Sequence, residues 1–597
     1  WPDAAQVTPS PYKGLSQIRR FPDTRVTETA HGMRGRIDRV ESPYIRFAPG
    51  LSLTFTGRMP RQSAIFIDAD SRVVLYDAEK PGALDFARHS LLYAGYLIRP
   101  KPERVLLIAS DGGASAAAAL AGGAKTVTWA CRTPGPAEMI RERYGIEVLV
   151  DGPRNALARS RERFSVIHFE HWGASLPGAD ALTQDHTVTV EGISAALSKL
   201  TDGGILVISR RLLLPPSDSL RVFGATLEAL DRRGADRPAD RLAFLRSWDT
   251  YTLLVSARPL SDDEIDGLRG FAGEMNFDLV HLPGLSESEA NRFNVHDAPY
   301  YFQAVREMIR TRNAGQGDSF FRDYPLDVVP QTDRRPFPGR FLKWSRLDEI
   351  HGSMGGRMYS LLLSGEIVVA TVFVEAVIVS VLLLGLPLIA VARRGGNGRR
   401  DLSPARGLYF FGIGAGFMLT EMYFIHVGTF LLGHPLVSFT AVAAGMLMGS
   451  GIGGWICRDW GPHRIMPVLG GLLGLLITLW IGAEPMVRAA LGWPFEARLM
   501  AGLAVLIPTG VMMGGPFVLG MRHLLRSPVG RAYAWAQNGC ASVLAAIASA
   551  QLALSLGLPA VMAGAVAGYG LALGAAIRLG GRNTDETRTE HGRNRQI

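Results

Sequence analysis

A glycine pair between an apolar strand and an alanine-rich helix is the clearest arrangement in this sequence that could hold a ligand. A short apolar run begins at Arg104 and predicts a buried strand, and the segment Ala114–Ala121 predicts a helix. The turn between them is formed by Ser110, Asp111, Gly112 and Gly113. Free N–H groups at a helix N-terminus favour a nucleotide-like ligand, although the dinucleotide fingerprint requires three spaced glycines rather than an adjacent pair. A ligand loop and a purely structural turn therefore both stay open.

A second group of polar side chains ends a later apolar segment, 163–169. His168 and Glu170 are two residues apart and so lie on one face of a strand, and His171 follows at its end. These residue types could form an acid–base or metal-binding cluster. A polar patch at the end of a strand is the simpler interpretation.

Four ionisable residues fall inside apolar segments of the second half of the chain. They are Glu366, Glu375, Glu421 and His426. Such side chains are costly in a bilayer unless they are paired or face a wet cavity. They could form polar contacts between helices, or line a transport or proton path.

The elements that position the glycine turn alternate between strands and helices. Strands are predicted at 104–109, 126–130, 146–150, 163–169, 204–208 and 250–257, with helices at 190–200 and 220–230. This alternation predicts an α/β domain with a doubly wound parallel sheet. The preceding region predicts short strands at 44–47, 51–55, 64–67 and 73–76, a hairpin turn at 68–71 and a helical segment at 83–98.

The composition of the chain changes near residue 360. Of 597 residues 47% are hydrophobic and 20% are charged, but the apolar residues concentrate in the second half. Runs at 365–392, 407–432, 436–457, 466–483, 498–520, 536–556 and 559–577 predict about seven transmembrane helices. Gly445, Gly449 and Gly453 share one helix face, as do Gly564 and Gly568, which predicts tight helix packing.

Charge and cysteine content exclude several classes of protein. The net charge of +9 owes much to arginines between the apolar runs and in the tail, a distribution that suits cytoplasmic loops better than a nucleic-acid groove. The three cysteines, Cys131, Cys457 and Cys540, form no CxxC and no zinc pair, so no disulfide framework and no metal site built on cysteine are expected.

The arginines also predict an orientation in the membrane. Every second loop is rich in arginine, beginning with 393–406, whereas the alternate loops at 433–435, 484–498 and 556–559 are poor in it. The arginine-rich side should be cytoplasmic. The soluble domain is therefore predicted to lie outside the cytoplasm, with the C-terminal tail inside.

Several short motifs follow one another along the chain in an order that resembles that of a known family. In the soluble half they are Tyr12–Ser16, Ala48–Leu53, Asp111–Gly113, Thr189–Glu191, Pro215–Asp218 and Thr332–Phe337, and in the apolar half Gly416–Glu421, Leu432–Pro435 and Asn538–Gly539. The soluble half resembles the spermidine synthase (aminopropyltransferase) family. The whole chain resembles bacterial polytopic membrane proteins described as spermidine synthase-like.

The resemblance implies a methyltransferase-like, Rossmann-like fold that holds decarboxylated S-adenosylmethionine. In that family the glycine loop cradles the cofactor, an acidic residue at the end of the second strand binds the ribose, and two aspartates after the fourth strand receive the amine. Cys131 matches the ribose acid, Glu170 is a longer substitute for the first aspartate, and Gly173 occupies the position of the second. Asp111 matches the aspartate of the glycine loop.

These departures lead us to expect a degenerate domain that no longer performs transfer and holds no cofactor. If transfer does occur, Glu170 and Asp111 are the expected catalytic residues, with decarboxylated S-adenosylmethionine as cofactor. The expected cofactor-binding residues are Ser110, Asp111, Gly112, Gly113 and Cys131.

The predicted organisation is an N-terminal β-rich region (1–100), a spermidine-synthase-like domain (101–260), an α/β extension (261–358), a transmembrane bundle (359–580) and a basic tail (581–597). The expected function is that of a binding or scaffold subunit of a membrane assembly in the bacterial inner membrane. Its partners would be lipid and other membrane proteins, without nucleic acid. The alternatives are an active aminopropyltransferase of polyamine biosynthesis and a transporter whose outer domain captures substrate.

Overall fold

The computed structural model describes residues 8–32, 34–109, 112–173, 178, 180–354, 364–394 and 401–593. The chain divides into two compact units, Trp1–Ser364 and Gly365–Ile597. The first is an α/β unit, and the second is helical without strands in the part that the structure describes.

A four-stranded antiparallel sheet opens the first unit. Its strands are β1 (Arg25–Gly32), β2 (Gly35–Glu41), β3 (Gln62–Ile67) and β4 (Ser71–Tyr76), hydrogen-bonded in the order β1-β2-β3-β4. The hairpin turn predicted at 68–71 is confirmed, and Asp68 and Ala69 adopt positive φ there.

Two of the strands predicted in this region are wrong. Segments 44–47 and 51–55 form no strand, apart from an isolated bridge between Leu51 and Ser90. Proline and glycine lie between the two segments, and Gly50 has a φ of +66°, so the chain turns instead of extending. Their apolar side chains still pack against the core, except for the exposed Tyr44 and Leu53. The true strands β1 and β2 were missed because β1 is exposed along its whole length and carries almost no apolar alternation.

The main sheet has eight strands in the order β12-β10-β11-β9-β8-β5-β6-β7. They are β5 (Arg104–Ala109), β6 (Thr126–Cys131), β7 (Glu147–Val150), β8 (Phe164–His171), β9 (Leu200–Arg211), β10 (Leu242–Arg246), β11 (Thr250–Ser256) and β12 (Asp278–His281). Strands β5 to β9 are parallel, which confirms the predicted core of the sheet. The last three pair antiparallel, so the sheet is mixed at that edge.

Eleven helices of the first unit lie among the described residues. They are α1 (Gly14–Ile18), α2 (Ala94–Ile98), α3 (Ala114–Ala121), α4 (Pro134–Tyr144), α5 (Pro153–Arg159), α6 (Val190–Ser198), α7 (Asp218–Arg232), α8 (Asp262–Met275), α9 (Tyr300–Asn313), α10 (Gly317–Asp323) and α11 (Leu347–Met354). The helical segment predicted at 83–98 consists of two short 3₁₀ turns followed by α2. Helix α3 is almost completely buried, as its alanine composition allows.

A buried polar cluster joins Asp333, near the end of this unit, to residues of helices α5 and α6 and the N-cap of α6. The Asp333 carboxylate accepts hydrogen bonds from Arg154 Nη1 and from Thr189 Oγ1, each at 2.8 Å, and the Asp333 N–H donates to Glu191 at 2.9 Å. Burial opposes ionisation of Asp333, but its contacts with His186 and Arg154 outweigh burial and hold its pKa below the usual range. Two of the family-like motifs, Thr189–Glu191 and Thr332–Phe337, therefore meet in one structural contact.

Seven α-helices lie among the described residues of the second unit. They are α12 (Gly365–Arg394), α13 (Pro404–Leu432), α14 (Pro435–Cys457), α15 (Ile465–Ala490), α16 (Phe495–His523), α17 (Pro528–Leu556) and α18 (Leu558–Arg593). All seven contain a stretch that is long and apolar enough to cross a membrane, which confirms the predicted number and indicates a multi-pass membrane protein.

Glycines set the closest helix contacts in this unit. A Cβ on Gly449 or Gly453 would collide with the backbone carbonyl of Ile507 or of Val511 in α16, and one on Gly568 would meet the backbone of α13. The predicted packing role is confirmed at these three positions, because only glycine lets the backbones approach so closely, whereas a Cβ on Gly445 or Gly564 would meet only side chains, at 3.3 or 3.2 Å.

Candidate functional site

A cavity of about 650 Å³ opens at the carboxyl ends of the parallel strands. Strand β5 has β6 on one side and β8 on the other, so the chain order reverses at this point of the sheet. Ligands of doubly wound proteins bind in the crevice at such a switch point. The ends of β5, β8 and β9 contribute Ile108, Glu170 and Arg210 to the wall of the cavity.

The Glu170 carboxylate lies at the N-terminus of helix α3. One oxygen accepts the Ser115 N–H at 2.8 Å, and the other accepts the Ala114 N–H at 3.3 Å and the Trp172 indole N–H at 2.8 Å. Glu170 is fully buried, and burial raises its pKa while these donors oppose the rise. The end of the helix that could receive an anionic group of a ligand is thus filled by a side chain of the protein.

The glycine pair is also packed against protein atoms. A Cβ on Gly112 would overlap the Glu170 carboxylate and lie 2.9 Å from the Trp172 indole nitrogen, and one on Gly113 would overlap the backbone oxygen of Val74 in β4. Trp129 donates its indole N–H to the Ala109 carbonyl at 3.2 Å and covers the end of β5. The other two residues of the predicted loop, Ser110 and Asp111, lie outside the described residues.

Cys131, the position that matches the ribose acid of the family, lies in the core. Its thiol donates to the Thr133 carbonyl at 3.1 Å, and burial raises its pKa. Cys131 does not line the cavity; the next residue, Arg132, does.

The hydrogen-bond partners of His168 differ from those of Glu170. Its Nδ1 lies 3.2 Å from the Tyr96 hydroxyl and its Nε2 lies 3.0 Å from the Ser209 hydroxyl. Complete burial lowers the pKa of His168 to about 3, so its ring is neutral at physiological pH. Within the described part of the chain, no three His, Cys, Asp or Glu side chains are placed to hold a metal ion.

An arginine-centred cluster missed by the sequence analysis forms another part of the wall. Arg210 at the end of β9 makes a two-point contact with Asp218, at 2.8 and 3.1 Å, and lies 3.4 Å from Asp185. Tyr251 donates its hydroxyl to Asp218 at 2.7 Å. Burial opposes ionisation of Asp185, but the charges of Arg210 and His171 and the hydrogen bonds from Thr187 together outweigh burial and lower the Asp185 pKa to about 2. The motif Pro215–Asp218 was the only sequence signal for this cluster.

The four ionisable residues of the second unit have different environments. Glu366 is fully buried, Glu421 and His426 are half-buried, and Glu375 is exposed on α12. The four side chains therefore differ in their exposure. All four lie in apolar helices, as predicted.

Solved structures similar to this chain are spermidine synthases and methyltransferases. Spermidine synthase in complex with the transition-state analogue AdoDATO is 15% identical, with a TM-score of 0.26, over 44% of this chain and 82% of that chain. Spermidine synthase from Thermotoga maritima is 16% identical, with a TM-score of 0.26, over 42% and 80%. Human methyltransferase-like protein 13 in complex with SAH is 14% identical, with a TM-score of 0.23, over 31% and 90%.

Similarity at this level assigns no activity to this chain. No protein-family model matches the sequence, and no curated protein matches it. The strand order and the helices define the class of protein directly: a mostly parallel, Rossmann-like sheet joined to seven helices that could span a membrane.

Proposed function

We propose that this chain is a multi-pass membrane protein whose spermidine-synthase-like domain no longer transfers an aminopropyl group and serves as a binding or scaffold subunit of a membrane assembly. The observation that carries the proposal is the filled glycine turn. Glu170 accepts hydrogen bonds from the N–H groups of Ala114 and Ser115. The space that a Cβ would occupy at Gly112 or Gly113 is taken by other atoms of the protein.

The chemistry of transfer explains why this matters. An amine nucleophile must lose a proton, and a carboxylate that serves as base has to reach the reacting nitrogen. Glu170 instead directs both oxygens at N–H donors of its own chain. Cys131, in the position of the ribose acid, is buried against Thr133 and offers no pair of acceptors for a diol.

The experiment is an assay of purified full-length protein with putrescine and decarboxylated S-adenosylmethionine, with an active spermidine synthase assayed in parallel. We expect no spermidine. Spermidine formation that disappears in Asp111→Ala would overturn the proposal and favour the active enzyme.

A membrane partner accounts for one feature of the helical unit. Glu375 is exposed on α12, where an unpaired carboxylate would face lipid at a cost of about 2.5–3.5 kcal/mol. A hydrogen-bond donor on a helix of a partner subunit would remove this cost. The proposed assembly therefore places α12 at the interface.

The proposed location is the bacterial inner membrane, with the soluble unit outside the cytoplasm. This orientation is supported by the arginines that alternate between loops. Alkaline phosphatase, which is active only outside the cytoplasm, should be active when fused after Gly352 and inactive when fused after Arg582. The reverse pattern of activity would contradict the proposed orientation.

A further inference from the structure

We propose that the cavity at the carboxyl ends of the parallel strands binds an anionic small molecule that carries a phosphate or carboxylate group and an apolar part. This inference rests on the proposed function, since it concerns the same cavity. The proposed ligand is an anion, whereas a polyamine is a cation.

Three arginines that line the cavity have no carboxylate partner among the described residues. They are Arg72 at the start of β4, Arg132 after β6 and Arg211 at the end of β9. Within the part of the chain that the structure describes, no carboxylate oxygen lies within 4.0 Å of their nitrogens, in contrast to the close pairing of Arg210 with Asp218.

Two of these arginines have buried donors without a partner. The Nε atoms of Arg132 and Arg211 are removed from solvent, and neither donates a hydrogen bond to a described residue. Leaving a buried donor unsatisfied is unfavourable, and more so for a charged group. An anion in the cavity would accept these hydrogen bonds.

The positive charges of Arg72 and Arg211 also interact with each other. Burial lowers the pKa of Arg72, and the nearby charge of Arg211 lowers it further. Asp249 lies near Arg211 but beyond ion-pairing distance, and burial raises the pKa of its carboxyl. An anionic ligand between Arg72 and Arg211 would relieve their mutual repulsion.

Three of the four carboxylates that line the cavity are already engaged. Glu170 accepts three N–H groups, and Asp185 faces Arg210. Asp180 has an interaction of its own, and Asp70 is exposed to solvent at the rim. Away from Asp70, the charged groups left for a ligand are therefore guanidinium groups, which would repel a polyamine or a sulfonium.

Aromatic side chains supply the apolar part of the site. Phe47 and Trp172 line the same cavity with their ring centroids 6.3 Å apart in an edge-to-face arrangement, and the guanidinium of Arg72 lies 5.1 Å from the Phe47 centroid. A ligand with a phosphate or carboxylate at the arginines could place an apolar group against these rings.

The test is calorimetry on the full-length protein in nanodiscs with phenyl phosphate, phenylacetate and spermidine as separate probes. We expect at least one of the two anions to bind, with an affinity that falls as salt increases, and spermidine not to bind. The two anions distinguish a phosphate from a carboxylate ligand. Arg211→Gln should weaken binding by about tenfold or more, since hydrogen bonds to charged groups are lost.

The matched control is Arg20→Gln, which removes an exposed arginine that does not line the cavity and should leave affinity unchanged. Arg72→Gln, at the start of β4, provides a second variant if Arg211→Gln fails to fold. Absence of binding by both anions, equal binding by wild type and the cavity variants, or binding of spermidine would overturn the inference. Because spermidine synthesis is assayed separately, the inference can fail while the proposed function stands.

Discussion

Substitution of Gly113 by alanine separates a packing role of the glycine turn from a role in holding a ligand. A Cβ at this position would overlap the backbone oxygen of Val74 and lie 3.3 Å from the Trp129 ring. Val74 is paired with Ala64 in the antiparallel ladder, so its carbonyl cannot move without displacing β4. We therefore expect Gly113→Ala to destabilise the first unit.

The size of the effect follows from two opposing contributions. Overpacking costs about 1–3 kcal/mol, and the rigid backbone at this contact favours the upper end of that range. Replacing glycine lowers the entropy of the unfolded chain and returns roughly 0.4–1 kcal/mol. The free energy of unfolding should fall by about 2 kcal/mol.

Hydrogen exchange of β5 and α3, measured by mass spectrometry on the full-length protein in detergent, reports this change. The matched control is Gly267→Ala in α8, where an added Cβ meets nothing within 4 Å and should stabilise by about 0.5–1 kcal/mol. If Gly113→Ala left protection unchanged but abolished binding of a nucleoside compound, the glycine would serve a ligand and the reasoning would be refuted.

Three further predictions concern other contacts. Asp185→Asn should lower the free energy of unfolding by about 2 kcal/mol at pH 7, because the pKa of Asp185 is lowered in the folded protein. This stabilisation is present above about pH 4 and is lost toward pH 2, so unfolding of the wild type and the variant by denaturant at pH 7 and at pH 2 checks the prediction. Arg498→Met should lower the free energy of unfolding of the detergent-solubilised protein by about 1.5–3 kcal/mol, since the buried Arg498 donates to the Leu431 carbonyl at 2.8 Å. The melting temperature should fall accordingly, and an unchanged melting temperature would contradict this prediction. Glu375→Leu should leave the folded protein intact but reduce the size of its native assembly on blue native electrophoresis, and an unchanged size would argue against an interface at α12.

Much of the fold could be predicted from local patterns. The apolar run that begins at Arg104 and the alanines of Ala114–Ala121 are strong local signals, and β5 and α3 occupy those positions. The seven apolar helices were also predictable, because each must be long enough to cross a bilayer by itself. Strand β1 escaped notice because an exposed strand has no apolar face to produce an alternating pattern.

The site was less predictable because distant segments build it. Glu170 was expected to receive an amine, but its place at the N-terminus of α3 depends on how β8 and β5 lie side by side. Arg72, Arg132 and Arg211 come from three separate strand ends, and nothing in their local sequence indicates that they share one cavity. Periodicity identifies an element, whereas convergence of side chains depends on the order of strands in the sheet.

The most direct test of the account is calorimetric titration of the full-length protein in nanodiscs with decarboxylated S-adenosylmethionine. The filled glycine turn, with Glu170 at the N-terminus of α3 and Cys131 buried in the core, predicts no detectable binding. Saturable one-site binding that is weakened by Gly112→Ala would contradict the central claim that this cofactor site is closed.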